Sequence, residues 1–220
     1  MAPCVSLLAS HLAGMSTLTE EQSIYAKVAS EAHAHFSEVI HLTSTCSPQP
    51  AFNPRYAALS LRIAIEAMAF AAIAPNKSDY ERVRNGKFAT DWHAERIFSA
   101  LEKLNKDFFP LALTSPAKSN DSVFQYGRHS PEPFTRKDAS AAYDHVSEAL
   151  HATNPWSDTI ANVDVRWLSR IAGNGLMLLN LHAAFIRADN FTGCWVVSRQ
   201  ANGDWRFLTA KANGEFSTDR

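Results

Sequence analysis

Asn53 to Pro75, NPRYAALSLRIAIEAMAFAAIAP, is the stretch whose reading decides the fold. Asn53 is a good N-cap, and Pro54 falls at the first helical position, where its missing N–H costs nothing. A run of Ala, Leu, Ile and Met follows, and Pro75 is expected to stop it. At ~1.5 Å per residue the helix is roughly 30 Å long, about the width of a small domain. It is apolar nearly all round, which marks a helix packed on several sides. Arg55, Ser60, Arg62 and Glu66 are its clearly polar side chains. Stepping ~100° per residue places Arg55, Arg62 and Glu66 within a stripe roughly 40° wide. The stripe describes either a contact surface or anion site, or a helix-surface ion pair worth a few tenths of a kcal/mol.

Helical patterns flank this rod. Thr17 with Glu20 has the form of a capping box, and Ile24, Val28, Ala32, Phe36, Val39 and Ile40 behind it form one apolar face ending near Leu42. A linker, Thr43 to Phe52, leads into the central helix. Beyond it, a short helix over about Asp79–Arg84 closes at Asn85-Gly86. Thr90 or Asp91 caps another, with Ile97, Phe98, Leu101 and Leu104 on its face. Residues 111–135 carry three prolines and no helical period, and read as a long ordered loop or lid with a short strand at Val123–Tyr126. Thr135 with Asp138 opens a helix that buries Ala139, Ala142, Tyr143, Val146 and Leu150. A further short helix, Asn162 to Ala172, is expected to stop at Gly173.

The period then changes. LMLLNLHAAFI, GCWVVSR and WRFLTAK are strand-like runs separated by turn residues, including Asn202-Gly203. The fold class that follows is α+β: a helical body at 19–175, a loose leader at 1–18, and a three-stranded antiparallel meander at 176–212. So small a meander needs a partner face, so it should pack on the helices.

A net charge of −1 over 220 residues gives no overall footprint for nucleic acid, so RNA is a partner that charge does not support. Cys4, Cys46 and Cys194 are odd in number and widely spaced, as expected of reduced thiols in a cytoplasmic protein. Arg62 and Glu66 interrupt the best apolar run, so no membrane span is expected. The hydrolase elbow, the phosphate loop, the dinucleotide fingerprint and His-Glu-x-x-His are all missing, and no cofactor is expected.

Some weaker constellations carry chemistry. Glu38 with His41 and Glu148 with His151 are Glu-x-x-His pairs; joined by Glu66 and Glu95 or Glu102 they would suggest a carboxylate-bridged metal centre, but in the wrong chain order. Both histidines also fall in last helical turns, where the dipole favours a cation. Glu31, His33 and His35 read as a solvated flank. Trp92 reads as a packing anchor and His93, at a helix start, as a surface residue or a base. Arg128-His129 sits in the long loop.

ALSLRIAIEAMAFAAIA together with DWHAERIFSALEKLNKDFFP, within Asn53–Leu113, resembles a group of uncharacterised bacterial proteins whose helical module is similar to the HEPN superfamily. The resemblance implies a helical, dimeric body, and a family in which many members are ribonucleases of toxin–antitoxin or anti-phage systems. Their catalytic mark is an Arg, usually followed by a polar residue, then a His a few residues on. This chain departs from it, because Arg84-Asn85 meets its next His only at His93, and Arg136 meets His145 at a similar gap. The family's nuclease chemistry is therefore assigned to no residue here. The expectation is a non-catalytic binding or assembly module with Arg55, Arg62 and Glu66 on its contact surface, forming a homodimer or holding a protein partner. The alternative is a metal-independent ribonuclease with Arg62 and Arg84 on phosphate and His93 as base.

Overall fold

The computed structural model describes residues 17–44, 54–85, 88–118, 124–151, 164–188 and 191–211. Among the described residues six α-helices of more than one turn are formed: α1 (Glu20–Ser44), α2 (Pro54–Ile73), α3 (Lys77–Val83), α4 (Ala94–Leu104), α5 (Arg136–Leu150) and α6 (Val165–Asn180). The strands are β1 (Leu111–Ala112), β2 (Ala117–Lys118), β3 (Phe124–Gln125), β4 (Leu181–Ala188), β5 (Phe191–Arg199) and β6 (Trp205–Lys211). The class is α+β, as the sequence indicates.

Helix α2 is the spine. It packs against α1, α4, α5 and α6, and Ala57, Ala58, Leu61, Ala64, Ile65 and Ala69 are fully enclosed. Alanines at the contacts let neighbouring helices approach while costing no side-chain entropy. Pro75 does not end the helical path: Ala74–Asn76 form a 3-10 turn that passes into α3. The combined segment Pro54–Val83 is long and apolar enough to cross a membrane, and 61% of its most apolar window is buried inside this fold. The expected Asn53 cap and the leader before Thr17 lie outside the described residues.

Local signals are met with shifts. The capping box of α1 is Thr19 with Gln22, two residues after the expected pair: Gln22 N donates to Thr19 Oγ1 (3.2 Å) and Thr19 N to Gln22 Oε1 (3.1 Å). The buried face is Tyr25, Ala29, Ala32, Phe36 and Val39, so Ile24 points outward. Thr135 and Asp138 cap α5 reciprocally, as the sequence indicates. Neither Thr90 nor Asp91 caps α4; His93 holds the cap position without a side-chain bond, and Asp91 is engaged elsewhere.

The largest correction concerns α6. It runs through Gly173 to Asn180, and LMLL, expected as strand, is its last turn, with Leu168, Ile171, Ala172, Gly175, Leu178 and Leu179 buried at helical spacing. Leu and Met favour a helix, and one face against α1 outweighs two glycines. The glycines differ in kind. A Cβ at Gly173 would meet nothing within 4 Å, whereas one at Gly175 would lie 2.5 to 2.7 Å from three atoms of the Phe36 ring. Gly173→Ala is therefore expected to stabilise by about 0.5–1 kcal/mol, and Gly175→Ala to destabilise by about 1–3 kcal/mol by overpacking. Urea midpoints of the two variants, moving in opposite directions, check this.

β4, β5 and β6 form the expected meander, with β1 added at its edge: the order is β1-β4-β5-β6, all antiparallel. Alternation sorts the side chains. Ala184, Trp195 and Val197 pack with Tyr25, Ala29, Ala71 and Ala74 on the helical body. Ala183, Phe185, Cys194 and Val196 face the other way and are covered by Leu111, Leu113 and Tyr126. Leu111, Leu113 and Tyr126, from the stretch 111–135 expected as a loop or lid, thus cap the second face of the sheet. Cys194 is buried there, and burial pushes its thiol up to about 12, which keeps it unreactive.

Candidate functional site

The stripe of α2 meets α4 and α5 in a polar seam. Tyr143, buried on α5, points its hydroxyl at α2 and donates to Glu66 Oε1 (3.0 Å). Arg62 Nε donates to the same oxygen (3.0 Å), and its Nη2 reaches the Tyr143 hydroxyl (3.3 Å). The guanidinium carbon lies 5.2 Å from the Tyr143 ring centroid, within cation–π range. The His93 ring packs edge-on to Tyr143 at 5.3 Å and is exposed. Burial first, then the neighbouring Glu66 carboxylate, raises the Tyr143 phenol above its usual value, so it stays a donor. Arg62 and Glu66 side chains remain 33% and 25% exposed, which leaves this triad at the mouth of the seam.

One turn along α5 a second set repeats the chemistry. Glu95 on α4 accepts from Arg136 Nη2 (2.6 Å), from Ser140 Oγ (2.6 Å) and from Ser99 Oγ (3.3 Å). Burial alone would raise the Glu95 carboxyl, but the hydrogen bonds from Ser140 and Arg136 outweigh it and hold the pKa low. Arg136 also stacks over Phe98, its guanidinium carbon 4.9 Å from the ring. Arg136, Ser140 and Tyr143, at spacings of four and three, lie along one face of α5.

Arg84 is held apart from both sets. Its Nε donates to Asp91 Oδ2 (2.8 Å), its Nη2 binds Asp91 Oδ1, and the Tyr80 hydroxyl donates to Oδ2 (2.9 Å). The carboxylate is only 9% exposed, so the two-pronged pair holds the turn between α3 and α4.

Of the residues singled out in the sequence, Arg62, Glu66 and His93 are brought together through Tyr143. Arg55 is exposed at the start of the same helix. Glu38 and His41 lie exposed at the end of α1, Glu148 and His151 at the end of α5. Among the described residues, no group of three or more His, Cys, Asp or Glu side chains is placed to hold a metal ion. Trp92, expected as an anchor, is 75% exposed. Arg128, in the former loop, pairs with Glu132.

Sequence reasoning missed Tyr143, Glu95, Arg136 and Ser140 as polar partners. Tyr143 was placed on an apolar face, which its ring occupies; its hydroxyl at the edge of that face was the available signal. Glu95 and Arg136 stand out in the sequence only for other pairings, with Glu-x-x-His and with His145, and Ser140 carries no local signal.

Exposed apolar side chains flank the seam. Tyr56 (65% exposed) and Leu59 stand on α2 at spacings that continue through Arg62 and Glu66, and Trp92 adjoins His93. Comparison with protein families, with curated proteins and with solved structures finds no match.

Proposed function

We propose that the chain is a non-catalytic binding and assembly module of HEPN-like helical type that self-associates through the face of α2 bearing Arg55, Arg62 and Glu66. The setting implied by the resemblance is bacterial defence or a toxin–antitoxin pair. One observation carries the reading. The arginines a phosphate would need, Arg62 and Arg84, are each tied to a carboxylate of their own chain, while Tyr56, Leu59 and Trp92 stand out beside them. Neutralised charge rimmed by exposed aromatic and aliphatic groups is the composition of an interface.

The measurement is the mass of the full chain in solution across a concentration series. The parent is expected to be a dimer, and Leu59→Arg and Arg62→Ala to weaken association about tenfold or more. If both variants are folded by circular dichroism and keep the parent's mass at every concentration, the contact surface lies elsewhere.

A second reading, a metal-independent ribonuclease, is favoured by the convergence of an exposed imidazole, a phenol and a guanidinium at His93, Tyr143 and Arg62. It requires RNA cleavage by the pure chain in chelator, lost in His93→Ala. Cleavage that survives this substitution, or none at all, removes it.

A further inference from the structure

Away from the α2 stripe, the hairpin of β5 and β6 brings a cation beside α1 with no anion paired to it. Arg199, at the end of β5, lays its guanidinium over the Trp205 ring with the carbon 5.2 Å from the centroid. Trp205 Nε1 in turn donates to Ser30 Oγ on α1 (2.7 Å), which locks the hairpin to that helix. His33 follows Ser30 by three residues and so shares its face. Its Nδ1 meets only the Ser37 hydroxyl, at 3.4 Å. The turn beside Arg199 is bare: Gly203 has φ +90°, a conformation that favours glycine, and a Cβ there would stand 3.5 Å from Arg199 Nη2.

Arg199 Nη1 is buried and has no hydrogen-bond acceptor. Among the described residues no carboxylate lies within ion-pairing distance of Arg199 or His33. The nearest acid in the turn, Asp204, accepts from Asn202 Nδ2 (2.7 Å) instead. A buried donor on a charged group without an acceptor is costly, and proteins rarely leave one. Both Arg199 and His33 remain partly exposed, so solvent reaches each residue.

We infer that Arg199 and His33, floored by Trp205 where Ser30 of α1 anchors it, form a binding site for a small oxyanion, phosphate or carboxylate. The guanidinium supplies the fork, the imidazole a second donor, and the indole fixes the plane in which the fork lies. Burial, then the charge of Arg199, holds the His33 imidazole below its ordinary value. An anion bound between the two groups reverses the second cause. The site shares no residue with the α2 face, so it stands or falls separately from the assembly reading.

The test follows the His33 ring resonances of the full chain by NMR through a pH titration, assigned with His33→Gln. Sodium phosphate, sodium acetate and sodium chloride are compared at equal ionic strength. Phosphate or acetate is expected to raise the His33 midpoint saturably by about one pH unit, and the more effective of the two names the ligand chemistry. Arg199→Gln is expected to raise the midpoint without any anion and to abolish the response. Arg199→Lys, which keeps the charge but loses the fork, is expected to weaken half-saturation about tenfold. Equal midpoints in all three salts overturn the assignment, as does an undiminished response in either variant.

Discussion

Replacing Asn105 by Ala is expected to cost about 4 kcal/mol, because one buried amide holds three elements together. Asn105 ends α4 and is 1% exposed. Its Nδ2 donates to Asn76 Oδ1 (3.0 Å) at the end of the α2 path and to the Phe185 carbonyl (3.1 Å) on β4, while its Oδ1 accepts from Asp107 N (3.0 Å). Asn76 spends its own Nδ2 on the Ala72 carbonyl (3.1 Å), so it cannot compensate. The truncation breaks three buried hydrogen bonds at once, and such a bond costs up to about 1–3 kcal/mol when its buried partner finds no replacement. That is a large share of the ~5–15 kcal/mol a domain usually has, and lowers Tm by about 10 °C. Asn105→Asp keeps the volume but loses both donors and buries a charge, so it is expected to be no milder. Thermal and urea unfolding followed by circular dichroism measure both. A loss under about 1 kcal/mol would mean that water takes over the three bonds.

Acid is expected to remove about 3 kcal/mol of stability between pH 6.5 and pH 4, through a single buried imidazole. His182 opens β4, fully enclosed. Its Nδ1 lies 3.2 Å from the Leu179 carbonyl, which can only accept, so the proton sits on Nδ1. Nε2 is then an acceptor, and the Tyr25 hydroxyl of α1 donates to it at 2.6 Å. Burial lowers the His182 pKa to about 4 from its usual 6.5. Above pH 6.5 both folded and unfolded chains hold the ring neutral, and stability is constant on this account. As pH falls below 6.5 the unfolded chain takes up a proton that the folded chain refuses, so stability declines until about pH 4, below which the folded chain takes up the proton as well. Urea midpoints taken between pH 7.5 and pH 4 follow the decline. His33 shifts in the same direction through burial and Arg199, so His182→Gln is the comparison that isolates His182. Its profile is expected to be flatter by most of the loss; a parallel profile would place the acid sensitivity elsewhere. Glu95, whose carboxyl pKa is lowered, gives stability that is lost as pH falls through its ordinary value of 4.5 and below, so it enters only at the acid end of this window and equally in parent and His182→Gln.

The history of α6 shows where reading the chain stops being sufficient. Glycine weakens a helix by about 1 kcal/mol relative to alanine, a sound reason to end one at Gly173. What overrules it is the Phe36 ring of α1, which occupies the space a side chain at Gly175 would need. No local window contains both residues. Similarly, Trp92 in a helix-start motif reads as an anchor, yet the turn held by Arg84 and Asp91 turns it outward. The two-residue strand at Leu111–Ala112 was invisible because its existence depends wholly on the edge of β4, some seventy positions later.

By itself, the order of residues determined the apolar α2 rod with its polar stripe, the Thr135–Asp138 cap, and the β4–β6 meander with its Asn-Gly turn. Each is a short-range matter of period, propensity or turn chemistry, acting over a few residues. Only the tertiary structure decided what the polar side chains meet: Tyr143 closing on Arg62 and Glu66, Arg136 on Glu95, Tyr25 on His182, and Arg199 on Trp205 above α1. Those partners lie between 41 and 157 residues apart for all but the last of these pairs. Hydrogen bonds and ion pairs of that separation leave no periodic trace, because either partner alone looks like an ordinary surface or core residue until packing brings the other beside it.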